Sequence, residues 1–290
     1  VRNLIINEIK DCADDIKTDN LGNLIVFKKG KKSAKSKLMV SAHMDEVGLM
    51  VTDITTDGYL KFDEVGGIDR RVLPGKRVCV GRNGLNGVIG VKPIHLTNGD
   101  EKTAVPKMND MYIDIGAESR EDALKYVNYG DGINFEGDFK INGKTVVTKA
   151  LDDRFGCYVL INLIKSEPEY DMYFTFVVQE EVGLRGARPA AFTVNPDFAL
   201  VIESTTAADV AEVDASHQVC NLSKGATVTV MDRATVYDKE MISAAFELAE
   251  KNNIAVQYKR AVAGGNDSGA IHQSRGGVRT LAVSLPSRYI

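Results

Sequence analysis

Apolar residues at Val1, Leu4, Ile5, Ile9, Cys12, Ala13 and Ile16 recur at helical spacing, and Asp19-Asn20 with Gly22 breaks the run. The chain therefore opens on a predicted helix. Two short apolar runs follow, residues 24–27 and 38–42, separated by a lysine-rich stretch that contains Gly30, Ser33 and Ser36. The stretch reads as a solvated loop, so the runs are predicted to be two strands joined as a hairpin, the second leading into His43.

From about residue 48 to residue 135 the pattern shortens to alternating strands punctuated by Thr56-Asp57-Gly58, Gly66-Gly67, Asn83-Gly84 and Asn86-Gly87. This predicts a small all-β domain with one helix, opened by Ser119 and Asp122 in a capping-box arrangement. Helix and strand patterns then alternate: a helix over 154–164, strands over 173–179 and 198–202, a helix over 239–252 and a last strand over 280–284. The predicted fold class is α/β, with a mixed-sheet domain formed by residues 1–47 and 136–290 and a β-rich domain of residues 48–135 inserted into it. No internal repeat or low-complexity tract is present.

Composition narrows the function classes. A formal net charge of −4 and a pI near 5.7 leave no basic footprint for nucleic acid or an anionic membrane. No apolar run approaches the roughly 18 residues that a membrane span needs. Cys12, Cys79, Cys157 and Cys220 are scattered without metal or redox spacing, as expected of reduced thiols in a cytoplasmic protein. Val1 opens directly on a helical pattern and Ile290 follows an apolar stretch, so both ends read as trimmed.

Four segments place acids or a histidine at the end of a predicted strand or the start of a helix, where open α/β sheets build their sites. In His43-Met44-Asp45 the carboxylate can orient the imidazole for a metal, although one His-x-Asp pair is also an ordinary surface arrangement. Asp152-Asp153 can bridge two ions or simply favour a helix N-terminus. Glu180-Glu181 follows the apolar run 173–178, where adjacent buried acids need cations or added protons. Glu203 again ends an apolar strand. Together, the four point to one shared metal site.

Gly264-Gly265-Asn266-Asp267-Ser268-Gly269 lacks the spacing of phosphate-binding loops and reads as a tight loop offering Gly265 and Asp267 to a substrate, or as a plain turn. His272 reads as packed against the fold or supporting a ligand rather than holding a metal itself. His95 and His217 receive no role.

The stretches AHMDEVGLMV, DIGAES, ALDDRFGC, VQEEVGLRGAR, STTAAD, VMDR, GGNDSGAIH and LPSRYI together resemble the tetrahedral metallo-aminopeptidases. That family includes glutamyl and deblocking aminopeptidases and is often described as cellulase M or endoglucanase. The resemblance implies a zinc-peptidase-like catalytic domain holding two divalent ions, zinc or cobalt, and acting on short peptides. It implies that Asp152 bridges the ions, that His43 and Glu203 complete one, and that Glu181 and a histidine just after the RYI segment complete the other. Glu180 would be the general base and Asp45 would orient His43. The β-rich insert would form dimers that assemble into a hollow dodecamer.

Two features depart from the family pattern. The given sequence stops at Tyr289-Ile290, before the expected histidine, which predicts that this end is removed. Glu203 stands where many relatives carry Asp, a longer arm that still reaches a metal. Two alternatives compete with the peptidase. A glycoside hydrolase would need two carboxylates flanking a sugar bond about 5 to 9.5 Å apart, and the chain has no tryptophan for sugar stacking. A non-catalytic shell protein that has lost one metal site would keep the fold without the chemistry.

Overall fold

The computed structural model describes residues 1–290, the side chain of Glu101 apart. The chain forms two compact units, one of Val1–Asp45 with Ala150–Ile290 and the other of Glu46–Lys149.

The first unit opens with helix α1 (Arg2–Ile9), which buries Ile5 and Ile9. The helix stops earlier than the periodicity predicts. Asp15–Thr18 is instead a strand, β1, paired antiparallel with β2 (Leu24–Lys28). The turn between them explains the change: Asp19 Oδ1 accepts the backbone N–H groups of Leu21, Gly22 and Asn23, and Gly22 takes a φ of +101° that other residues rarely adopt. β3 (Leu38–His43) follows.

The second unit is a closed barrel. Its strands are β4 (Gly48–Ile54), β5 (Leu60–Val65), β6 (Arg77–Val80), β7 (Leu85–Val91), β8 (Met111–Asp114) and β9 (Gly132–Phe135), in the order β4-β5-β8-β7-β6-β9. Alternating residues such as Leu49, Val51, Leu60, Phe62, Ile89 and Ile113 fill its interior. A short helix, α2 (Arg120–Ala123), begins as predicted, with the Ser119 hydroxyl accepting the Asp122 N–H at 3.2 Å. β10 (Lys140–Asn142) and β11 (Thr145–Val147) form a separate hairpin. Residues 136–149 therefore belong with the barrel unit, whereas the sequence pattern assigned them to the catalytic domain.

The chain returns to the first unit through α3 (Leu151–Lys165), β12 (Met172–Val177), α4 (Ala187–Val194), β13 (Phe198–Thr206), β14 (Ala226–Val228), α5 (Lys239–Lys251), β15 (Val256–Tyr258), α6 (Ser268–Ile271) and β16 (Arg279–Ser287). The eight strands run in the order β1-β2-β12-β3-β13-β16-β14-β15. β2 and β3 are therefore not a hairpin: β12 lies between them, antiparallel to β2 and parallel to β3. Two apolar runs joined by a loop look the same in sequence whether they pair or leave a gap for a third strand.

Alternation along the central strands sends apolar side chains to both faces. Val26, Val40, Phe174 and Phe176 pack with Ile5 and Ile9 of α1 and Leu160 and Ile164 of α3. Met39, Val177, Val201 and Ala282 pack on the opposite side with Ala187, Ala190 and Ala191 of α4 and Ile271 of α6. Residues 41 and 43 of β3, and residue 203 of β13, share the parity of Met39 and Val201, and so lie on the α4 and α6 side.

Candidate metal centre

Register brings the acids together. β12, β3 and β13 run parallel, with Val177 paired to His43 and Val201 paired to Ser41. Two residues past Val201, Glu203 comes level with His43, so the carboxyl ends of three strands share one edge. Beyond β12 the chain turns sharply. Asn23 Oδ1 accepts the Val178 N–H, its Nδ2 donates to the Gly186 carbonyl, and Gly186 N–H donates to the Val178 carbonyl. A Cβ on Gly186 would stand 2.2 Å from that carbonyl oxygen, so only glycine closes this loop. The loop presents Glu180 and Glu181 at the sheet edge.

Asp45 fixes the same pair from the other side. Its Oδ1 accepts the Glu180 N–H at 3.1 Å and its Oδ2 the Glu181 N–H at 3.2 Å. The contact expected between Asp45 and His43 is present but longer, at 3.6 Å from Nδ1; the Asp45 carbonyl lies nearer, at 3.2 Å.

His43 Nε2 lies 3.1 Å from Asp152 Oδ1, 3.8 Å from Glu203 Oε2 and 4.0 Å from Glu180 Oε2. Ligand atoms of His43, Asp152 and Glu203 all fall within 4.8 Å of one another, and so do those of His43, Glu180 and Glu181. Every metal and acid–base candidate from the sequence, namely His43, Asp45, Asp152, Glu180, Glu181 and Glu203, thus lies in one cluster. Asp153 went unassigned in sequence and proves central: fully buried, it accepts the His43 N–H at 3.3 Å and the Gly156 N–H at 3.0 Å. Its signal was Gly156, where a Cβ would meet the Asp153 carboxylate at 2.3 Å.

Gly264–Asp267 approaches the cluster through its last residue. Asp232 accepts the N–H groups of Ala234 and Thr235 and the Tyr237 hydroxyl, and Tyr237 in turn accepts from Asn266 Nδ2 at 3.0 Å. Asn266 Oδ1 takes the Ser268 N–H, which locks the loop around Asp267. Asp267 is fully buried. His272 Nδ1 lies 2.8 Å from the Ser268 carbonyl, a packed position.

These carboxylates are in an uncomfortable state. Glu203 Oε1 and both oxygens of Asp267 are buried with no protein donor. Burial, with the charges of Asp267 and its other acidic neighbours added, pushes Glu180 up to about 8. Burial also lifts Asp267 to about 7, and it raises Glu203 and Asp153 well above the ordinary carboxyl range. For His43, burial opposes the charge, yet Asp152, Asp45 and Glu203 outweigh it and raise the ring well above the ordinary histidine range. Buried acids without donors, around one imidazole, form an oxygen and nitrogen donor set that fits divalent cations.

The chain is similar to known proteins over its whole length. Residues 22–290 match the family model described as M42 glutamyl aminopeptidase. The lysyl aminopeptidase of Pyrococcus furiosus is 34% identical over 100% of this chain and 84% of its own. The Pyrococcus horikoshii TET1 peptidase, whose structure assembles into a tetrahedron or a large octahedral shell, is 41% identical with a TM-score of 0.87, covering 100% of this chain and 86% of its own. A Thermotoga maritima structure described as an endoglucanase is 38% identical with a TM-score of 0.82, covering 100% and 83%.

Proposed function

Since this chain belongs to the M42 glutamyl aminopeptidase family and is a metal-dependent hydrolase of peptide bonds, we propose that it removes N-terminal residues from short peptides with a pair of divalent ions. The carrying observation is the imidazole of His43 within 4.0 Å of carboxylates from Asp152, Glu203 and Glu180. Asp152 would bridge the ions, with His43 and Glu203 on one side and Glu181 on the other. A histidine following Ile290 would complete the second set. The ions, zinc or cobalt in this reading, supply Lewis acidity that lowers the pKa of water and stabilises a tetrahedral oxyanion.

The chain's own groups handle the proton. Glu180, buried and aimed into the cluster, with burial pushing its carboxyl up to about 8 in the metal-free chain, is placed to accept a proton from attacking water and return it to the leaving amine. Asp45 holds the backbone of both glutamates, which keeps the Glu180 carboxylate aimed into the cluster. Asp267 contributes through Glu180, whose proton affinity its charge raises, while Gly265 is the loop position offered to substrate. Cys157 is pushed up to about 12 by burial and takes no part as a nucleophile.

A panel of aminoacyl anilides with zinc, cobalt or no metal tests this reading. Turnover should require metal. The endoglucanase description of one relative makes cellulose the control substrate: hydrolysis that survives chelation would favour a glycosidase, although carboxylates gathered on one imidazole do not flank a sugar bond.

Among the described residues no helix is long and apolar enough to cross a membrane. We place the protein in the cytoplasm on its free thiols. We also assign the barrel unit to subunit pairing, since it exposes Ile94, Leu96 and Val105, and dimers to a dodecamer. Light scattering reads the assembly directly.

A further inference from the structure

Glu46 and Lys149 are the first and last residues of the barrel unit, where the chain leaves the first unit and returns to it. Both crossings are irregular chain: residues 44–47 lie between β3 and β4, and residues 148–150 between β11 and α3. Each is a few residues from the metal centre. Glu46 follows Asp45, whose carboxylate accepts the Glu180 and Glu181 N–H groups, and Lys149 precedes Asp152 by three positions. An ion pair joins the two crossings. Lys149 Nζ lies 3.1 Å from Glu46 Oε2 and donates to Oε1 at 3.3 Å. The stem of the lysine passes over Gly137, where an added Cβ would stand 3.0 Å from Lys149 Cγ, so glycine leaves room for that path.

The segment that follows Lys149 has to be held. Ala150 takes a φ of +54°, a left-handed conformation that is unfavourable for any residue with a Cβ and persists only where neighbouring contacts impose it. Beyond it, the Ala150 carbonyl accepts the Arg154 N–H at 3.1 Å and the Leu151 carbonyl accepts the Ser204 hydroxyl at 3.2 Å. Before it, Lys149 supplies the hold through Glu46. Contacts on both sides of the left-handed residue thus aim Asp152, whose Oδ1 lies 3.1 Å from His43 Nε2.

We propose that Glu46 and Lys149 are positioning residues of the metal centre. Their ion pair sets the Asp45 segment, which fixes the backbone of Glu180 and Glu181, against the segment that carries Asp152. Both side chains act through the backbone and through Asp45, without touching an ion. The pair is partly open to solvent, with 21% of the Glu46 side chain and 36% of the Lys149 side chain exposed, so its effect is smaller than that of a buried pair. The proposal rests on the metal reading of the cluster, since the two segments have a common task only if they hold ions between them.

The test titrates the metal-free full chain with cobalt, following the visible absorption of the bound ion and measuring Kd by competition with a chelator. Lys149→Met and Glu46→Gln should each weaken cobalt binding by about 3- to 10-fold, between the effect of an exposed ion pair and that of a residue orienting a ligand, and should alter the bound-cobalt spectrum. The double variant should lose no more than either single one, because both remove the same interaction. Lys149→Arg, which keeps the charge, should retain the affinity and the spectrum. Thermal melts of the metal-free variants should stay close to that of the parent chain, which separates positioning from a general loss of stability. Unchanged cobalt affinity and spectrum in both single variants, or losses that add in the double variant, would overturn the proposal and leave the metal reading standing. A parent chain that binds no cobalt would overturn both.

Discussion

In the barrel unit, Asp69 takes hydrogen bonds from the guanidinium of Arg71, and Glu64 pairs with Arg70 at 2.8 Å, all at the solvent. At the carboxyl edge of the eight-stranded sheet, Glu203, Asp153 and Asp267 are buried, and Glu203 and Asp267 keep oxygens that no protein donor reaches. These two barrel acids are neutralised by neighbouring arginines, as surface charges usually are. The sheet edge gathers acids around a single histidine and cannot neutralise them from within. That difference in charge balance is the reason we propose the sheet edge, and not the barrel, as the place of the chemistry.

Substitutions in the two units should disturb different properties, activity at the sheet edge and stability inside the barrel. Glu180→Gln should lower kcat by about 10²- to 10⁴-fold, the contribution of a positioned general base, with bound metal unchanged by elemental analysis. Full activity in that variant would remove Glu180 from the reaction. Leu60→Ala, deep in the barrel, should cost about 2 to 5 kcal/mol in a denaturant melt and leave metal content alone. A loss of metal in that variant would show that the two units are not separable in the way the charges suggest.

A smaller effect should appear with pH. Glu180 and Asp267 have folded pKa values of about 8 and about 7, above their ordinary 4.5 and 3.8. The folded chain therefore binds protons that the unfolded chain releases, and stability falls as pH rises. The metal-free protein should lose thermal stability progressively from about pH 4 to pH 8, and saturating zinc or cobalt should flatten the decline. A metal-free melting temperature that rises over this window would contradict the assignment of strain to these carboxyls. Smallest of all, Asp69→Asn should shift stability by no more than about 1 kcal/mol, because its ion pair is exposed.

The cluster of candidate ligands was more legible in the sequence than the sheet that gathers it. His43, Glu180, Glu181 and Glu203 each end an apolar run, and an acid in that position is visible without knowing which strands pair. Strand order was hidden because β12 enters between β2 and β3 from far along the chain. The short strands β1, β14 and β15 carry too few residues to show alternation, and β1 lay under a helical pattern that ended at Ile16. Asp153 was obscured by its neighbour Asp152: adjacent acids at a helix start look equivalent, and only the fold points one at the His43 ring and the other at the His43 backbone. Asp267 was read as a loop acid offered to substrate, and its burial by the Asp232, Tyr237 and Asn266 network could not be seen in the sequence.

Calorimetric titration of metal-free protein with zinc or cobalt, in buffers of differing ionisation enthalpy near pH 7, measures the central quantity. The account predicts saturable binding of a pair of ions accompanied by proton release, since carboxyls held protonated by burial must ionise to become ligands. It also predicts that His43→Ala and Glu203→Ala weaken that binding. Titration heats without saturation, or binding that neither substitution disturbs, would show that the buried acids do not form a metal centre.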